Sequence, residues 1–82
     1  MIKIYGLSSG CPRCEQAKNL INMYGYAGEW EYIELDKAGN ECFSDMVKSD
    51  GFRSAPAVYV DSEKLGSVNE LQSFLLDWRK TT

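Results

Sequence analysis

Cys11 and Cys14 stand two residues apart, with Pro12 and Arg13 between them. This spacing lets two sulfurs meet when the first opens a helix and the second lies one turn in. The chemistry open to such a pair is thiol–disulfide exchange, in which a thiolate is the nucleophile. Three features favour a thiolate on Cys11. The amides of the first helical turn, from Arg13 and Cys14, have no partner within a helix and can donate to sulfur. The helix dipole adds partial positive charge there. Arg13 adds a full charge beside it. Such surroundings bring a cysteine pKa from about 8.5 into the range of about 3.5 to 7.5. Cys14 falls on the apolar face of the same helix, so it is expected to be buried and to resolve a mixed disulfide formed on Cys11.

Two plainer readings of the pair stand beside this one. It could be half of a zinc site, but zinc takes four ligands. Only Cys42 remains, and the chain has no histidine. It could also be a buried, inert pair, for which a proline–arginine insert is a poor choice.

The elements that must position the pair follow from periodicity. Ile2 to Tyr5 is a β-prone stretch closed by Gly6, and Leu7 to Gly10 reads as a loop. Pro12 suits the first turn of a helix, where its missing N–H costs nothing. Cys14, Ala17, Leu20, Ile21 and Tyr24 then share a face, and Gly25 is a natural stop. Trp30 to Leu35 is the second strand, and Asp36 to Asn40 a loop. Cys42, Phe43, Met46 and Val47 mark the second helix, ended by Gly51. Ala57 to Val60 is the third strand. Asp61 to Lys64 turns the chain back into a short fourth strand near Leu65. Gly66 to Asn69 starts the last helix, which buries Leu71, Phe74, Leu75 and Trp78. The fold class is therefore α/β, in the order β-α-β-α-β-β-α, with a four-stranded mixed sheet and three helices.

Pro56 stands at the start of the third strand, where a missing donor is tolerated. On sequence alone a trans proline is the default, because cis occurs in only about 5–6% of X–Pro bonds. A cis bond would leave the N–H and C=O of Ala55 free to pair with an extended substrate, as an added strand.

Composition narrows the function classes. At 82 residues one domain spanning 1–82 is expected. A net charge of −3, with acids and bases mixed along the chain, argues against nucleic-acid and anionic-membrane partners. No apolar run approaches the roughly 20 residues of a spanning helix. Met1 to Gly6 has no basic segment leading an apolar core, so no secretory signal is read. Three cysteines, an odd count at uneven spacing, fit a reducing compartment, and a cytoplasmic location is expected. The absence of histidine removes histidine-assisted cysteine catalysis and serine triads.

Several of these stretches together resemble the glutaredoxins. Cys11-Pro12-Arg13-Cys14 resembles their Cys-Pro-Tyr-Cys motif, and Ser54-Ala55-Pro56 their Thr-Val-Pro segment. Leu65-Gly66-Ser67-Val68-Asn69 resembles the Gly-Gly segment and following Asp that open the family's last helix. Lys3-Ile4-Tyr5-Gly6 and the loop after it are similar to small bacteriophage glutaredoxins, which would place the protein in a host cytoplasm. The resemblance implies the thioredoxin fold, a cis Pro56, no bound cofactor, and glutathione as co-substrate and reductant. It implies that Ala55 pairs with the cysteinyl backbone of glutathione. Ser67, Val68 and Asn69 would hold the γ-glutamyl carboxylate at a helix N-terminus, and Arg53 the glycyl carboxylate.

Three positions differ from the family pattern. Ser8 stands where Lys or Arg is usual, Ser67 replaces the second glycine, and Asn69 the Asp. Gly51-Phe52-Arg53 also resembles the glutaredoxin-like hydrogen donors of ribonucleotide reductase, which thioredoxin reductase recycles. The partners expected are disulfide-bearing proteins, ribonucleotide reductase among them, and the protein is expected to be a monomer. A reading of another class is a module that holds an iron–sulfur cluster or zinc through Cys11, against which Pro12 argues.

The remaining candidates read mainly as packing. Cys42 is expected in the core beside Phe43 and Met46. Trp30, Trp78 and Tyr5 are expected to be buried or partly buried. Asn69 serves equally as a helix N-cap.

Overall fold

The computed structural model describes residues 1–81. Its elements are β1 (Ile2–Gly6), α1 (Pro12–Met23), β2 (Trp30–Glu34), α2 (Glu41–Ser49), β3 (Ala57–Val60), β4 (Glu63–Gly66) and α3 (Val68–Thr81). This is the expected order. The strands form one sheet in the order β2-β1-β3-β4. β1 is parallel to β2 and antiparallel to β3, and β3 is antiparallel to β4.

The central strands bury both faces, so their residues alternate between two cores. Ile2, Ile4 and Val58 point to one side, where Ala17, Leu20 and Ile21 of α1 meet Val68, Leu71 and Leu75 of α3. Tyr5, Ala57 and Tyr59 point to the other and meet Val47 of α2. Register enforces the match: Ile4 lies opposite Val58, and Tyr5 opposite Ala57. Ile2, Ile4, Ile21, Leu71 and Leu75 are fully buried, and each such side chain contributes about 1.5–3 kcal/mol of transfer free energy.

α1 ends as its sequence requires. Gly25 takes φ +63, the Tyr26 N–H bonds the Ile21 carbonyl at 3.2 Å, and the Gly25 N–H bonds Asn22 at 3.2 Å. These paired bonds satisfy the last orphan carbonyls of the helix.

The hairpin between β3 and β4 is tighter than expected. Only Asp61 and Ser62 form the turn, at φ 50 and 72. A two-residue hairpin matched to strand twist needs positive φ at both positions, and a short polar side chain such as Asp tolerates it. β4 consequently begins at Glu63. Cys42 is also corrected: it is exposed rather than core. It lies in the first turn of a nine-residue helix, one step off the stripe of Phe43, Met46 and Val47 that reaches the sheet. Trp30 is partly buried on the α1–α3 core, and Trp78 packs at a tilt of 60° against Tyr26, 5.0 Å between centroids.

Candidate active site

Cys11 and Cys14 are joined by a disulfide, with Cα atoms 5.3 Å apart. Cys11 is the N-cap of α1, and Pro12 occupies the first helical position. The Cys14 N–H donates to the Cys11 sulfur at 3.3 Å, while the Cys11 carbonyl accepts from Cys14 and Glu15. Sulfur thus takes the place that an Asp or Ser oxygen fills at other helix starts. Cys14 is buried and Cys11 half-buried. The expected burial of Cys14 is present, and Arg13 lies exposed on the same turn.

Gly6 is a site residue that sequence reasoning passed over as a strand end. A Cβ on it would stand 2.9 Å from the Cys14 sulfur and closer still to the Tyr32 hydroxyl. That hydroxyl donates to the Leu7 carbonyl at 2.5 Å. Burial raises the Tyr32 pKa, which keeps the phenol a donor. β1 therefore ends in a residue with no side chain because the Cys14 sulfur and a tyrosine crowd it.

The segment between α2 and β3 is held at its start by Asp50. The Tyr59 hydroxyl donates to the Asp50 carboxylate, and Lys64 Nζ donates to its carbonyl at 2.6 Å. Burial and the carboxylate partner push the Tyr59 pKa far above the ordinary tyrosine range. Lys64 Nζ also lies 4.9 Å over the Phe52 ring. The segment ends at a cis Ala55–Pro56 bond. The resemblance implied this isomer, and the residue-based default of trans is corrected. Phe52, Arg53, Ser54 and Ala55 line a cavity of about 340 Å³ together with Leu7, Leu35, Val47 and Ala57. Asp36, Ser44 and Lys48 complete its rim.

Ser8 stands where the family usually carries a cation, and here it holds an anion. Its N–H bonds both Asp36 oxygens at 3.1 and 3.2 Å, and its Oγ bonds one at 2.7 Å. These bonds lower the Asp36 pKa, so the carboxylate is fixed in ionised form beside the loop that leads to Cys11.

At the start of α3, Leu71 N–H bonds the Ser67 carbonyl at 3.0 Å. The Glu70 carboxylate returns to the Ser67 N–H at 2.7 Å. Ser67 and Glu70 thus form the return half of a capping box, and the cap position expected of Asn69 belongs to Ser67. Val68 is buried and Asn69 exposed. The structure gathers Arg53 and Ala55 into one cavity. Asn69 instead lines a separate depression with Leu65, Glu70 and Asp77.

A dithiol that closes on itself at the first helix of this sheet architecture defines a thiol–disulfide oxidoreductase of the thioredoxin fold. The sequence profile of the glutaredoxin family matches residues 2–65. The chain belongs to the glutaredoxin family. Glutaredoxins of Neisseria meningitidis serogroups A and B are 33% identical over 61 residues, spanning 74% of this chain and 69% of theirs. The glutaredoxin-like NrdH-redoxin of Escherichia coli superposes with a TM-score of 0.72 at 20% identity, covering 93% of this chain and 91% of that one. A buckwheat glutaredoxin–glutathione complex gives 0.74 at 18%, covering 98% and 72%. Wheat glutaredoxin gives 0.73 at 26%, covering 98% and 78%. Among the described residues no group of three or more His, Cys, Asp or Glu side chains is placed to hold a metal ion. No helix there is long and apolar enough to cross a membrane.

Proposed function

We propose that the reduced protein passes electrons from glutathione to disulfides of proteins and to glutathione mixed disulfides. The Cys11 thiolate attacks one sulfur of the substrate disulfide, forms a mixed disulfide, and releases the other sulfur as a thiolate. Cys14 loses its proton and attacks Cys11. This frees the second substrate thiol and leaves the Cys11–Cys14 disulfide, so two electrons reach the substrate. Two glutathione molecules then reverse the closure and leave as one glutathione disulfide.

The observation that carries this reading is the cap. The half-exposed sulfur receives the helix amide, and the buried one waits a turn behind it. Arg13 adds positive charge at the same turn. Ala55 makes no hydrogen bond among the described residues and offers its backbone edge to the cysteinyl unit of glutathione. Pro56 sets the direction of that edge. Arg53 would meet the glycyl carboxylate. The γ-glutamyl carboxylate would lie at the α3 N-terminus by the Val68 N–H and Asn69, beside the Ser67 N–H that Glu70 already takes, as an anion suits that position. The reading is supported by the buckwheat glutaredoxin, a structural neighbour described in complex with glutathione.

One observation favours a second donor. Glutathione carries two carboxylates, and the ionised Asp36 stands on the rim of the cavity that holds Arg53. The second reading is a donor to ribonucleotide reductase recycled by thioredoxin reductase, and the NrdH-redoxin neighbour is described as thioredoxin-like in activity.

The test compares reduction of the oxidised protein by glutathione, glutathione reductase and NADPH with reduction by thioredoxin reductase and NADPH. Turnover in the first system supports the proposal. Turnover only in the second overturns it in favour of the alternative donor.

A further inference from the structure

The cavity beside Ala55 contains more apolar wall than glutathione can use. Leu7, Leu35, Val47, Phe52 and Ala57 form it. Apart from its sulfur, glutathione has only a glycine and a γ-linked glutamate to offer, and neither brings an apolar side chain. A cavity of about 340 Å³ has room for one large aliphatic side chain with space at the rim. The rim is charged. Lys48 and Arg53 are exposed and make no ion pair among the described residues. Asp36, the one acid there, is held by Ser8 from the β1–α1 side. The two cations on the α2 side thus outnumber the one carboxylate, outside an apolar floor.

We propose that this cavity recognises polypeptide substrates carrying a large apolar residue next to the disulfide cysteine and an acidic residue one step further. The proposal rests on the exchange chemistry of Cys11 and Cys14 and names the substrate class of that site. The substrate backbone lies along the free edge of Ala55. Its apolar side chain enters between Val47, Phe52 and Leu35, and its carboxylate meets Lys48 and Arg53. The electron balance is that of the exchange: two electrons leave the dithiol, and the peptide disulfide becomes two thiols.

The test uses protein reduced in advance with dithiothreitol and then desalted, so no recycling donor takes part. The probes are three symmetric peptide disulfides, each half a five-residue palindrome with cysteine at the centre. In the first, leucine and then glutamate flank the cysteine on both sides. The second replaces leucine by alanine, and the third replaces glutamate by lysine. Second-order rates are divided by the rates of the same peptides with free dithiothreitol, which removes their intrinsic reactivity.

The leucine–glutamate peptide is expected to react about tenfold faster than the alanine peptide, the lower end of what leucine burial supplies. It should also lead the lysine peptide by about fivefold, as charge pairing at a wet rim allows. Lys48→Glu and Arg53→Glu, both at exposed positions, should each narrow or invert the glutamate–lysine ratio while the leucine–alanine ratio persists. Equal normalised rates for all three peptides would overturn the cavity's role and leave the exchange chemistry standing. Failure to reduce any of them would overturn both.

Discussion

Replacing Gly6 by alanine puts a methyl group in place of a hydrogen where the structure has no room. The new Cβ would lie 2.9 Å from the Cys14 sulfur and would also meet the Tyr32 hydroxyl. Neither neighbour yields freely. Tyr32 is tied to the Leu7 carbonyl at 2.5 Å, and in the oxidised protein the Cys14 sulfur is bonded to Cys11. Overpacking by one methyl in such a setting costs about 1–3 kcal/mol. For a domain of this size, a loss of about 2 kcal/mol lowers Tm by roughly 8–16 °C. The reduced protein has an escape, because the free Cys14 thiol can turn about its Cα–Cβ bond. The loss should therefore be smaller after reduction. The assay is thermal unfolding of wild type and Gly6→Ala, each with and without dithiothreitol. A Tm change under about 2 °C, or one identical in both redox states, would refute the claim that Gly6 exists to admit the Cys14 sulfur.

Three other outcomes are expected. Cys14→Ser should trap a protein disulfide substrate on Cys11 as a stable mixed disulfide visible by mass spectrometry, whereas Cys11→Ser should trap none. Tyr59→Phe removes a hydrogen bond to a carboxylate and should cost about 1.5–3 kcal/mol by denaturant unfolding. Asp50→Asn, which keeps an acceptor oxygen, should cost less. Asp36 has a folded pKa below its ordinary value of 3.8. Its contribution is therefore present above that value and lost as pH falls through the lower, folded value. The stability gap between wild type and Asp36→Asn should be open at pH 7 and close on acidification below about 3.8; a gap that stays constant would contradict the Ser8 clasp.

What the sequence revealed and what it hid divide along range. Ile2 and Ile4 alternate with neighbours at strand period, and Cys14, Ala17 and Ile21 recur at helical period, so the element order could be read directly. The cysteine pair was legible for the same reason, since three residues and one proline define a helix start. Contacts that join distant segments left no periodic trace. Ser8 and Asp36 are 28 residues apart, and Asp50 meets Tyr59 across the loop and into a strand. Gly6 looked like punctuation because its constraint comes from Cys14 and Tyr32 in space. Cys42 misled because a helical stripe gives an angle but not how far the helix end overhangs the sheet. The cap at Ser67 carried a local signal, Ser-x-x-Glu, that the resemblance to Asn69's counterpart overshadowed. The cis bond before Pro56 came from family likeness, since local residues give no preference for it.

Disulfide exchange by this protein depends most on the ionisation of Cys11. The direct measurement is the pH dependence of iodoacetamide alkylation in reduced protein carrying Cys14→Ser and Cys42→Ser, so that Cys11 is the only thiol. The helix-start amide and the dipole together predict a midpoint below about 7, at least 1.5 units under the roughly 8.5 of free cysteine. A midpoint at 8.5 or above would contradict the account.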